Sequence, residues 1–381
     1  MIEDYDISIV GAGIMGAMTA CELASDGARV ALIDQSRLPN PTGASFDHSK
    51  VFRFAYPDPL YAGLAVDALK LWKRLEEETG TRLLTPTGAL MIGRDESSSE
   101  AETYRALRSL ELEAELLDSA EAASRFPQFN SAAFEFAVYD PNGAILHAEQ
   151  AVRAALDLAR RRGVAIIEAQ RVITVDQSEG RRVRIVTESG VEYRCRRAAI
   201  ASGPWTRKLL YSLDSGLTTT RQETVYFEPM PASARDFVPG RFPIFIELDT
   251  GFYGFPIHHR GCVKIANHHK GASVEPYSFD DQVGEDFVEH CREFFRQFIP
   301  ALADAHVRET RVCLYNNTPD DDFVIDWHPE IQNVLVVTGF SGHGFKFGSV
   351  IGRIAAELLR SGQTSYNIER FSIGRLMRGE K

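Results

Sequence analysis

The stretch Asp6-Ile7-Ser8-Ile9-Val10-Gly11-Ala12-Gly13-Ile14-Met15-Gly16 decides the fold class. Asp6 to Val10 is β-rich and apolar, and the residues after Gly16 have helical composition as far as Ser25, ending near Gly27. This is strand, glycine turn, helix. The first glycine permits a tight turn, the second lets the backbone approach a pyrophosphate, and the third packs helix on strand while the helix N-terminus faces negative charge. A second strand, Arg29 to Ile33, ends in Asp34, 23 residues after Gly11, where a carboxylate can bond the hydroxyls of an adenosine ribose. The unit predicts a dinucleotide site. By itself it leaves NAD and FAD both open.

With 381 residues and 44% hydrophobic content, the chain exceeds what one core serves, so two domains are expected. The net charge is −11, from 42 Lys+Arg against 53 Asp+Glu, and no basic stripe offers itself to phosphates. Nucleic acid is therefore not an expected partner. No run approaches the ~18 apolar residues that span a bilayer, and Met1-Ile2-Glu3-Asp4-Tyr5-Asp6 is acidic where a signal peptide is basic. A cytoplasmic protein with no membrane contact is expected. Five cysteines (Cys21, Cys195, Cys262, Cys291, Cys313) stand in no metal spacing, so reduced thiols and no metal are expected.

Outward from the first unit, Leu60 to Thr79 and Glu149 to Gly163 read as amphipathic helices, the second ending in Arg160-Arg161-Arg162-Gly163. Strands are expected at Val164 to Ile167, Arg171 to Val175 and Val183 to Thr187, and near Ala198 to Ile200 before the turn at Gly203-Pro204. From Thr224 to Asn267 the pattern becomes an antiparallel meander, with turns at Asp249-Thr250-Gly251 and His258-His259-Arg260-Gly261. In its last strand a period of two puts Lys264 and His268 on one face, about 13 Å apart at ~3.3 Å per residue. That strand taken alone predicts solvent-facing side chains for both. Asn333 to Thr338 reads as a buried strand, followed by Gly339-Phe340-Ser341-Gly342-His343-Gly344-Phe345-Lys346-Phe347 and a helix from Ser349 to Arg360. Backbone N–H groups, a helix N-terminus and an ammonium there suit one anionic group, such as the N1–C2=O edge of a reduced flavin.

Together these pieces resemble the sarcosine oxidase branch of the D-amino-acid-oxidase-like flavoproteins over nearly the whole chain. The resemblance rests on Gly11 to Gly16, Ser49-Lys50-Val51-Phe52-Arg53, Tyr253-Gly254-Phe255-Pro256 with Lys264 and His268, Cys313-Leu314-Tyr315, Phe323-Val324-Ile325-Asp326, and Gly339 to Phe347. It implies an α/β chain in which a Rossmann-like FAD-binding domain (1-80, 148-212, 314-381) is interleaved with an α+β antiparallel-sheet substrate domain (81-147, 213-313). It also implies covalent FAD, with Cys313 matching the cysteine that forms a thioether to the flavin 8α-methyl.

Lys264 matches the lysine that promotes reaction with O2. His268, Arg53 and Lys346 match positions around the substrate, where the two cations hold its carboxylate, and Tyr253 and Tyr315 match aromatic residues of the same pocket. The expected cofactor contacts are Gly11, Gly13, Ile14, Met15, Gly16, Asp34, Gln35, Ser45, Ser49, Lys50, Val172, Gly203, Cys313, Asn316, Gly342, Gly344, Phe345 and Lys346. Lys50 departs from the arginine of sarcosine oxidases and resembles the fructosyl-amino-acid and saccharopine oxidases. Phe46 stands where sarcosine oxidases carry histidine. The implied activity is oxidation of a small secondary amino acid to an imine, with O2 reduced to hydrogen peroxide, by a monomer or small homo-oligomer. The alternatives are a dehydrogenase of the same fold with another electron acceptor, a non-catalytic nucleotide-binding flavoprotein, and a colourless NAD-dependent dehydrogenase.

Overall fold

The computed structural model describes residues 2–24, 27–95, 97–210 and 216–377. Ser25, where the first helix was expected to end, and the expected domain limit at 212/213 lie outside the described residues.

Ile7–Val10 and Val30–Ile33 are buried along their whole length, because helices cover one face of their sheet and a smaller sheet packs on the other. They sit inside a six-stranded sheet whose order is Ala165–Ile167, Val30–Ile33, Ile7–Val10, Arg197–Ile200, Val334–Thr338, Val324–Trp327. Every pairing is parallel except the last, which is antiparallel. The helices Ile14–Leu23 and Gly348–Ser361 pack on this sheet and on each other, and Ala148–Arg161 packs against the first. Gly16 makes the turn possible, because a Cβ there would stand 1.9 Å from the Gly11 carbonyl oxygen. Val172–Gln177 and Val183–Thr187 leave this sheet and form a separate four-stranded one with Glu192–Cys195 and Ile2–Asp4.

The second large sheet has eight strands, in the order His306–Asn317, Thr218–Glu228, Cys262–Asn267, Phe252–His259, Ile244–Ile246, Ala89–Gly93, Phe136–Asp140, Glu115–Asp118. Within the meander from Thr224 to Asn267 every pairing is antiparallel, as expected. At its outer side Ile244–Ile246 pairs in parallel with Ala89–Gly93, a strand from a remote part of the chain. The phenylalanines Phe242, Phe245, Phe294 and Phe298 fill the core between this sheet and the helix Glu285–Phe298.

A three-stranded sheet of Lys50–Phe52, Ala144–Leu146 and Leu84–Pro86 ties the two large units together. The strand His306–Asn317 also runs unbroken through the expected limit at 313/314, with Cys313 paired to Gln222 and Leu314 to Arg221. Among the described residues no helix is long and apolar enough to cross a membrane.

Candidate active site

The glycine turn opens on a long cleft at the C-terminal ends of the parallel strands, where open α/β sheets take ligands. Gly11, Gly13, Ile14, Met15, Asp34, Gln35, Ser45, Lys50, Val172, Gly203, Asn316, Gly342, Gly344 and Phe345 line it, together with Tyr315. Gly16, Ser49, Cys313 and Lys346 do not. Gly16 lies beneath Gly11, the carbonyl of Ser49 faces Lys264, and Lys346 lines a neighbouring cavity. Cys313 sits on the edge strand within the field of Lys50, and burial raises its thiol pKa while that cation lowers it. The Asp34 carboxylate accepts from the N–H groups of Ala12 (2.8 Å) and Ser36 (2.9 Å), which fixes it at the mouth of the turn.

Two buried donors in the cleft wall, Trp205 Nε1 and Asn316 Nδ2, have no hydrogen-bond partner among the described residues. Buried donors are rarely left so, and a ligand rich in acceptors would satisfy them. The donor set, the glycine backbone and the Asp34 carboxylate at the mouth of the turn fit FAD.

Lys50, Tyr315, Gly342 and Phe345 line both this cleft and a second cavity of about 470 Å³. The second cavity gathers Arg53, Tyr253, His268, Tyr315 and Lys346, five of the six side chains expected to do chemistry. The Arg53 guanidinium stacks 4.4 Å from the centre of the Tyr56 ring, and Lys346 Nζ donates to Tyr56 Oη and to the His343 carbonyl, both at 2.7 Å. Among the described residues no carboxylate pairs with either cation. Burial, followed by the charge of Arg53, pushes the Lys346 pKa well below its ordinary value. Burial, then Lys346 and Arg53, lowers His268 to about 4, so its imidazole is neutral at pH 7. Tyr253 Oη and Tyr315 Oη approach to 3.5 Å.

The sixth residue, Lys264, overturns the solvent-facing expectation of its strand, since only 1% of it is exposed. Its ammonium donates to Asp47 Oδ2 (2.6 Å) and to the Ser49 carbonyl (2.8 Å), behind the cavity wall. A buried cation is tolerable only when paired, and Asp47 supplies the pair. The same carboxylate accepts from Tyr226 Oη (2.6 Å) and lies 3.6 Å from Lys50 Nζ. Burial raises the Asp47 pKa, but Lys264, Lys50 and these hydrogen bonds outweigh it and hold the carboxyl well below its usual range. Asp47, Tyr56, Tyr226 and His343 had no expected role. Of these, Tyr226 could have been found from strand pairing, because it lies directly opposite Lys264 on the neighbouring strand.

His258 is also lowered to about 4 by burial, like His268. An unfolded histidine titrates near 6.5, so between pH 6.5 and 4 the unfolded chain binds more protons and stability rises with pH. The melting temperature is expected to fall on acidification through that window and to stay flat from these groups above it. Each histidine contributes at most ~3 kcal/mol, less for the partly exposed His268. Calorimetry from pH 4 to 8 checks this, and an acid loss unchanged in His258→Gln would contradict it.

The FAD dependent oxidoreductase family model matches residues 6–358. The monomeric sarcosine oxidase of Bacillus sp. (strain B-0618) is 34% identical over 98% of this chain and 97% of its own. The human (Homo sapiens) peroxisomal sarcosine oxidase is 33% identical over 97% and 96%, and the N-methyl-L-tryptophan oxidase of Yersinia pestis (strain Pestoides F) 29% over 98% and 99%. Among solved structures, L-proline dehydrogenase from P. horikoshii shares the fold with a TM-score of 0.87, at 22% identity over 100% of both chains. The chain belongs to the FAD-dependent oxidoreductase family.

Proposed function

We propose that the protein oxidises the C–N bond of a small N-substituted or cyclic amino acid to an imine, with O2 reduced to hydrogen peroxide. The observation that carries this reading is the pair Arg53 and Lys346, two basic side chains that pair with no carboxylate among the described residues, beside a cavity that opens onto the flavin cleft. Burial, and for Lys346 the charge of Arg53, disfavours their charged forms, and a substrate carboxylate offsets that. Bound FAD supplies the acceptor for a hydride equivalent from carbon. Arg53 and Lys346 take the substrate carboxylate, which sets the carbon's approach to the cleft through Tyr315 and Gly342. The burial that keeps His268 neutral, aided by Lys346 and Arg53, also favours the unprotonated form of the substrate amine, whose lone pair the oxidation needs. Tyr253 and Tyr315 close one wall. Lys264, held by Asp47, offers positive charge where O2 acquires its first electron.

We assign the flavin-binding part to 1-80, 148-212 and 314-381 and the substrate part to 81-147 and 213-313, with the strand His306–Asn317 crossing the last limit and shared by both. Cys313, on the edge strand beside Lys50, is assigned as the covalent attachment point. Acid precipitation tests the link directly: yellow colour should stay with the wild-type pellet and move to the supernatant in Cys313→Ser. Colour released from wild-type protein would remove Cys313 from this role.

The activity is tested by anaerobic mixing with sarcosine, N-methyltryptophan, pipecolate, saccharopine and fructosyl amino acids, then by peroxide release in air. Bleaching by one of them with peroxide on aeration is the expected result. A flavin that none of them bleaches would overturn the reading.

A further inference from the structure

Sequence spacing shows no metal motif, yet three chain segments bring His48, His259 and Glu309 together, with one ligand atom of each within 4.8 Å of the others. His48 lies in the loop before the strand Lys50–Phe52, His259 ends the strand Phe252–His259, and Glu309 stands opposite Tyr226 on the edge strand. The cluster lines neither the flavin cleft nor the amino-acid cavity.

We infer that these residues form a site for a divalent transition-metal ion. His48 Nε2 meets Glu309 Oε1 at 3.0 Å, an ordinary hydrogen bond. His259 Nε2 is different. That atom is buried without a hydrogen-bond partner among the described residues, and Glu309 Oε2 stands 3.7 Å away, too far to bond. An ion between the two satisfies both atoms. Arg311 holds the other oxygen, Oε1, at 2.5 Å, so Oε2 is left to face the ion.

Two imidazoles and a carboxylate suit Zn2+, Ni2+ or Cu2+ rather than Mg2+ or Ca2+, which favour oxygen ligands throughout. The side chains of His259 and Glu309 are 29% and 21% exposed, so an ion can enter from solvent and keep water as its fourth ligand. The imidazoles of His48 and His259 lie face to face, 3.5 Å between centroids with planes 16° apart. One ring therefore turns out of the stack to direct its lone pair at the ion. The site adjoins the Asp47–Lys264 pair, because the backbone N–H of His48 donates to Asp47 Oδ1 at 2.7 Å.

Binding is read without turnover, so it stands or falls separately from the proposed activity. Holoenzyme stripped with EDTA is titrated with Zn2+ in a calorimeter, and Cu2+ is added in parallel for electron paramagnetic resonance. The expected result is one Zn2+ per chain, a Cu2+ signal split by two nitrogens, and at least about 10–100-fold weaker Zn2+ binding in His259→Gln and Glu309→Gln. His290→Gln, at an exposed position on the helix Glu285–Phe298, should match wild type. If the variants fail to fold, the nitrogen count in wild-type protein decides. No stoichiometric Zn2+ binding, or a Cu2+ signal without the two-nitrogen splitting, overturns the site.

Discussion

Lys264→Met is expected to leave anaerobic reduction of the flavin by the amino acid close to the wild-type rate and to slow reoxidation by O2 by roughly 10²–10³-fold, the usual cost of removing one preorganised electrostatic group. The two half-reactions separate because Lys264 lines neither the substrate cavity nor the cleft surface, and its ammonium is committed to Asp47 and the Ser49 carbonyl. Substrate binding by Arg53 and Lys346 proceeds without it. The fold should tolerate the change, since Asp47 keeps Lys50 at 3.6 Å and the Tyr226 hydroxyl at 2.6 Å. Asp47→Leu is the harsher substitution, because it strands the buried Lys264 and the half-buried Lys50, and breaking a buried pair costs about 3–5 kcal/mol. Stopped-flow mixing of reduced enzyme with O2 measures the effect. Unchanged reoxidation in Lys264→Met would leave this lysine a structural counter-ion to Asp47 and nothing more.

Local signals and long-range ones were not equally legible before the structure was known. The turn from Val10 to Gly16 was readable because its demands are met within a dozen residues: an apolar strand, glycines at fixed offsets, then a helix. The period of two placed Lys264 and His268 on one face, but the strand ends at Asn267. His268 instead leaves the sheet with its N–H bonded to the Gly251 carbonyl, which turns it toward the cavity.

Asp47 was invisible for a different reason. In the run Asn40 to Ser49 it looks like one more turn-forming polar residue, and its meaning comes from a lysine 217 residues away. The same holds for Tyr56 and His343, which acquire roles only when the cavity brings Lys346 between them. Family resemblance supplied Lys264, Arg53 and Lys346 as a set. It could not supply the partners that hold them, and those partners decide the charges.

Arg53→Met and Lys346→Met are each expected to reduce the second-order rate of flavin reduction by ~30–5000-fold, the equivalent of the 2–5 kcal/mol lost when one partner of a desolvated charge pair is removed. The loss should fall mainly on KM where the carboxylate is held equally in ground and transition states, and on kcat where a misdirected carboxylate lets the carbon swing away from the cleft. Lys346→Met carries an independent readout. Lys346 and Arg53 add to burial in lowering His268 to about 4, so removing the ammonium should move the His268 titration, followed by NMR, upward toward its ordinary value near 6.5. A merely structural lysine would weaken the fold without that shift, whereas a lysine facing the cavity changes both the titration and the rate. If the rate holds for both variants, the carboxylate is bound elsewhere. The cavity would then have to be read through its other charged edge, where Asp58 and Asp322 pair with Arg370, as a site for a substrate held by its cationic end.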